Sequence, residues 1–115
     1  MSNELLEKII IDSQHAKVGA MFDKVRTWGH DRGLNDIKAQ LLKVWEESGE
    51  IAWAFNHQGA NCDKFIDAIG DTLVTIIIAA DIAGYRAEDC LESALNEIWP
   101  RTGELVDGNF RKKVD

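Results

Sequence analysis

Two short acidic blocks have the residue types and spacing to hold a divalent cation: Glu46-Glu47-Ser48-Gly49-Glu50 and Asp67-Ala68-Ile69-Gly70-Asp71. Within each block the acids fall one, three or four residues apart, and in a helix the three- and four-residue pairs share a face. Like charges at that spacing disfavour a helix by roughly 0.2–0.5 kcal/mol per pair. A compensating positive charge is therefore expected, and a hard cation with oxygen ligands supplies one. Asp67 and Asp71 also lie in line with Val74 and Ile78 at i, i+4, i+7 and i+11, and acids that head an apolar stripe are not an ordinary solvent face. The first block alone reads first as the solvated side of an amphipathic helix. On a helical wheel Ile37, Leu41, Val44, Trp45, Ser48, Ile51, Ala52 and Phe55 share one face, with Lys43, Glu46, Glu47 and Glu50 opposite.

These residues need helices to position them. The pattern predicts a short helix over residues 3–12. A second over 16–31 has Val18, Met21, Phe22, Val25 and Trp28 at helical spacing and is stopped at Gly33. A helix over 37–57 follows, capped by Asn35 or Asp36, with Gly59 after its end. The next spans about 62–83, with Asn61 as its cap and Asp63 in its first turn. Its β-branched run, Leu73 to Ala80, looks strand-like, but the apolar pattern continues too far on both sides for a strand. A segment apolar nearly all round must be covered on several sides, which in so short a chain implies a subunit interface as well as a core. Gly84 ends that helix, and the last covers 87–99, closed by Pro100. In the tail, Asp107-Gly108 between apolar residues is a hairpin signal. The expected fold is all-α: an oligomeric bundle of four main helices with an irregular or hairpin tail.

If the helices carrying the acids form an antiparallel hairpin reversing at residue 59 or 60, a rise of ~1.5 Å per residue puts Glu50 level with residue 69 and Glu47 with residue 72. The carboxylates then stand at one height, and height alone leaves open whether they face each other.

Composition narrows the partners. The 115 residues suit one domain. The net charge of −7 argues against a nucleic-acid groove or an anionic membrane as partner, and an acidic protein that handles phosphates requires a cation. Cys62 and Cys90 are isolated, and His15, His30 and His57 show no zinc spacing with them. Charges interrupt the apolar N-terminal patch, Leu5-Leu6 and Ile9-Ile10-Ile11, so it does not resemble a signal peptide. The longest apolar run, Ile76 to Ala80, is far too short to span a bilayer. A soluble, cytoplasmic protein without nucleic-acid or membrane partners is expected.

The two blocks resemble the motifs of the MazG-like, all-α nucleoside triphosphate pyrophosphohydrolases: a Glu-Glu-x-x-Glu helix followed by one bearing Gly-Asp-x-Leu. The counterparts here are Glu46-Glu47-Ser48-Gly49-Glu50 and Gly70-Asp71-Thr72-Leu73. Trp28 with Asp31-Arg32-Gly33-Leu34 is similar to the end of that family's first helix. Asn96-Glu97-Ile98, Arg101, Gly103 and Gly108-Asn109-Phe110-Arg111-Lys112 are similar to its C-terminal segment. The likeness covers about residues 16–113. It sets the expected domain at 16–115, with residues 1–15 as an N-terminal extension. One position departs: the family's second motif is usually Glu-x-x-Asp, and three residues before Asp71 stands Ala68, which cannot bind metal.

The resemblance implies Mg²⁺, with Mn²⁺ as substitute, held by Glu47, Glu50 and Asp71, and by Asp67 in place of the missing Glu. It implies hydrolysis of (deoxy)nucleoside triphosphates to the monophosphate and pyrophosphate in nucleotide-pool cleaning, by a homodimer or a dimer of dimers. Glu46, and second Glu47, is the expected base for the attacking water. Lys43 is either a phosphate ligand or an i,i+4 partner of Glu47. Arg101 and Lys112 would close over phosphates, and Asn96 would hold phosphate or base unless it is plain helix surface. Trp28 either stacks on a base or belongs to the core; Trp45 and Trp53 are expected in packing, and His30 in solvent. The competing reading is a non-enzymatic acidic helical interaction module with a structural cation; a third is a metal phosphatase releasing inorganic phosphate.

Overall fold

A computed structural model describes residues 2–113, so residue 1 and residues 114–115, which belong to the expected segment limits, lie outside the described residues. The chain forms four helices and one hairpin: α1 Asn3–Asp31, α2 Ile37–Gln58, α3 Asp63–Ile82, α4 Ala87–Ile98, β1 Gly103–Val106 and β2 Asn109–Lys112. The two expected N-terminal helices are one. Ser2 caps it by accepting from the Leu5 N–H at 3.1 Å, and Ser13-Gln14-His15 continue it without a break, so no structural boundary falls at residue 15. Asp36 caps α2 by accepting from the Ala39 N–H. The cap of α3 is Cys62 rather than Asn61: its Sγ accepts from the Phe65 N–H at 3.3 Å and donates to the Gly59 carbonyl at 3.1 Å. Both thiols are free. In the hairpin, Asp107 and Gly108 both take positive φ, 51° and 79°, the backbone of a type I′ turn.

α3 is the hub. It runs antiparallel against α2 along its length and touches α1 and α4, while α1 and α2 scarcely meet. Every α2 residue that is even half-buried lies at Ile37, Gln40, Val44, Glu47, Ile51 or Ala54. Steps of three and four residues are those of an antiparallel pair packed knobs into holes. The matching seam of α3 includes Phe65, Ala68, Thr72, Thr75, Ala79 and Ile82. α1 approaches α3 closely at Gly29, where an added Cβ would stand 3.4 Å from Ile78.

The α2 seam corrects the wheel. Its expected apolar face lies beside the seam, not on it: Leu41, Trp45 and Phe55 are exposed, Trp45 by 78%. The wheel averages a period of 3.6, and the partner helix selects a 3.5-residue row that passes through Gln40 and Glu47. Trp53 is likewise exposed, stacked on His57 at 4.2 Å.

The molecule is open. Its radius of gyration is 17.8 Å, where a compact chain of this length has about 13 Å. Residues 2–18 of α1 are exposed throughout, including Leu5, Leu6, Ile9, Ile10 and Ile11. An apolar trough of about 700 Å³ runs between the helices, lined among others by Phe22, Leu41, Leu73, Ile76 and Leu91. No helix of the described residues is long and apolar enough to cross a membrane.

One polar cluster ties α1 to α4. Arg26 donates to both carboxylate oxygens of Glu88 at 2.7 and 2.8 Å and to Asp23 at 2.6 Å, and Arg86 joins at 2.9 Å. The bonds from Arg26 pull the Glu88 carboxyl down to about 2 from its ordinary 4.5, and they raise the Arg26 guanidinium further. A depressed carboxyl adds stability that is complete above its unfolded value and is lost as pH falls toward the folded one. With Glu88 partly exposed, solvent screening leaves about 1–2 kcal/mol. Urea unfolding should therefore lose that amount between pH 4.5 and pH 2, and Glu88→Gln should flatten the loss over the same interval.

Candidate functional site

Glu46, Glu47 and Glu50 occupy successive turns of α2, and one carboxylate oxygen from each lies within 4.8 Å of the others. Glu46 and Glu50 are exposed, whereas Glu47, on the seam, is half-buried with its side chain 12% exposed. Lys43 neutralises part of the group from the preceding turn, with Nζ 3.4 Å from Glu47 and 3.5 Å from Glu46. The hydrogen bond it donates to Glu47, and after it the charge of Glu46, raises the Lys43 ammonium above its usual value. The i,i+4 pairing expected of Lys43 is thus present, and it extends to Glu46.

Beside this cluster a cleft of about 520 Å³ opens between the three long helices. Glu47 and Lys43 from α2 and Asp71 from α3 stand on it together with Trp28 from α1. Its floor is Gln40, Val74, Thr75 and Ile78. A second cavity of about 550 Å³ adjoins it, sharing Trp28, Asp71 and Val74 and adding Lys24. Trp28 is therefore a wall of the cleft, 46% exposed, rather than core. Arg32 lies 4.0 Å from its ring centroid, covering one face by a cation–π contact.

The expected metal set is brought together only in part. Glu47 and Asp71 share the cleft, but the close carboxylate trio is Glu46, Glu47 and Glu50, all on one helix; it includes neither Asp67 nor Asp71. Asp67 is exposed and lines neither cavity. Gln40 Nε2 donates to the Thr75 carbonyl at 3.2 Å, the Phe55 and Phe65 rings lie 5.7 Å apart, and Glu47 and Asp71 line one cleft, so the two helices pair close to the level drawn from the loop midpoint. Ala68, 4% exposed, occupies the place where the resembled motif carries its Glu.

Three of the expected substrate residues stand apart from the cleft. Asn96 is exposed on α4, Arg101 pairs with Glu97 at 3.1 Å, and Lys112 lies on β2. The hairpin packs against none of the helices among the described residues, so nothing within one chain carries these side chains to Glu47 and Asp71. His30 is exposed and pairs with Asp81 at 2.8 Å. The sequence assigns no site role to Gln40. It lies on the same row of α2 as Glu47, seven residues earlier, and only the partner helix reveals it as cleft floor.

Replacing Lys43 with Met removes the one cation among three close carboxylates. Its melting temperature should fall slightly at low ionic strength and match the wild type in about 0.5 M salt, because exposed charges are screened there. An unchanged melting temperature at low salt would mean that Lys43 does not neutralise the cluster. No family model, curated protein or solved structure matches the chain, so its function is argued from this geometry and from the likeness of its motifs.

Proposed function

We propose that the cleft is the active site of a Mg²⁺-dependent nucleoside triphosphate pyrophosphohydrolase. The observation that carries this reading is the meeting of Glu47 from α2 and Asp71 from α3 on one cavity, beside three carboxylates within 4.8 Å. The donor set fits a hard divalent cation: every group is a carboxylate oxygen, and no thiol or imidazole is among them. Glu47, Glu50 and Asp71 would hold Mg²⁺, with Asp67 as an outer partner; Mn²⁺ would substitute. When bound, the ion supplies neutralisation of the phosphate charge.

The chain's own groups do the rest. Glu46 is water-facing, with its side chain 61% exposed, and it takes the proton of the water that attacks the α-phosphorus. Glu47 is the second choice. Lys43 turns its ammonium from the glutamates to a phosphate oxygen. Trp28, with Arg32 fixing one face, stacks the base on the other. The products are the nucleoside monophosphate and pyrophosphate, consistent with removal of surplus or damaged nucleotides in the cytoplasm.

The reading includes a homo-oligomer. The accessible surface is 9357 Å², where a 12.9 kDa monomer has about 6300 Å². An excess of about 3000 Å² per chain suits the large apolar interfaces of obligate oligomers. A second copy covering the trough and the exposed half of α1 would bury it. A non-enzymatic acidic module with a structural cation is favoured by one observation: the tight trio lies on a single helix, where Lys43 already neutralises one of its three charges.

Two measurements decide. A panel of canonical and modified (d)NTPs with Mg²⁺, resolved by chromatography, should yield monophosphate and pyrophosphate. Glu50→Gln should lose more than about a hundredfold in kcat with an unchanged melting profile. Diphosphate plus phosphate as products, or wild-type turnover in Glu50→Gln, would reject the site as drawn. Sedimentation equilibrium should give two or four times 12.9 kDa, and Leu73→Glu should reduce it; a monomer at micromolar concentration would reject the oligomer.

A further inference from the structure

The floor of the cleft holds one polar atom for which the protein provides no partner. Gln40 is 8% exposed and lines the cavity. Its Nε2 donates to the Thr75 carbonyl at 3.2 Å. A carbonyl only accepts, so that bond fixes the amide with its NH₂ toward α3 and its oxygen turned away. Among the described residues no donor reaches Oε1, and no buried side-chain oxygen or nitrogen is left unsatisfied. Oε1 therefore keeps accessible surface, and Gln40 lines the cleft together with Val74, Ile78 and Trp28. An acceptor that a ligand covers there without matching it is costly.

We propose that Gln40 is the base-reading residue of this cleft, its Oε1 accepting a hydrogen bond from the exocyclic amino group of a nucleobase stacked on Trp28. The inference rests on reading the cleft as a nucleotide site and names the bases it takes. An amino group is favoured over a ring N–H because the acceptor is recessed in the floor. An exocyclic group projects beyond the ring and reaches it, whereas a ring N–H is flanked by two substituents. A base presenting a carbonyl at that position sets two acceptors against each other, and the Thr75 bond prevents the amide from flipping to relieve this. The cleft accordingly takes bases that present an exocyclic amino group, those of the cytosine, adenine and guanine type, with uracil-type bases disfavoured.

The test uses near-isosteric pairs that differ in the amino group: CMP against zebularine monophosphate, and AMP against purine riboside monophosphate. Binding is measured without metal by protein NMR, and hydrolysis of the corresponding triphosphates is measured separately. The wild type should bind the amino member about tenfold more tightly, and Gln40→Met should bring the ratio close to one. Equal binding of a pair by the wild type, tighter binding of UMP than CMP, a ratio that persists in Gln40→Met, or no binding of any of them would each overturn the proposal. Should Gln40→Met not fold, the wild-type ratios alone decide. A ratio that behaves as expected without hydrolysis would reject the pyrophosphohydrolase and keep the Gln40 assignment; pyrophosphate release without base preference would do the reverse.

Discussion

The seam between α2 and α3 governs the rest of the molecule. Its residues recur in steps of three and four on both helices, and one buried hydrogen bond, from the Gln40 amide to the Thr75 carbonyl, crosses it. Glu47 lies on the seam and keeps its carboxylate at the edge, where Lys43 reaches it.

The same seam explains why a chain with 45% apolar residues buries so few of them. The two helices use one narrow row each, and the broader apolar flanks, with Leu41, Trp45, Ile66 and Leu73, remain uncovered. α1 adds Gly29 and its neighbours to α3 and then runs on into solvent. In one chain this leaves large apolar side chains exposed on every helix, more than a lone soluble domain ordinarily keeps in contiguous patches. The cleft, by contrast, is built from three helices of one chain, so its carboxylates, aromatic wall and recessed amide need no partner to be adjacent.

The likeness to the MazG-like motifs and the geometry agree in some places and part in others. They agree that Glu47 and Asp71 share a space. They part at Asp67, which lines neither cavity, and at the tail, whose cations lie away from the cleft in the single chain. Ala68 marks the difference physically: it lies on the α3 seam without a carboxylate, and the nearest three acids share α2.

The sequence by itself determined the four helical segments, the glycine and aspartate signals that end and cap them, the Asp107-Gly108 hairpin and the acidic row of α2. All of these are written in local spacing and backbone preference. It also marked Trp28 and Lys43 beside the acids. It did not determine that residues 3–31 form one helix, since three polar residues interrupt the pattern without breaking hydrogen bonds. It did not identify Cys62 as a cap, a role that sulfur fills seldom. Only the tertiary structure decided the side of α2 that meets α3 and the burial of Gln40 and Glu47. A helix read alone has a face but no partner, and which of its rows becomes the contact depends on the shape of the helix it meets.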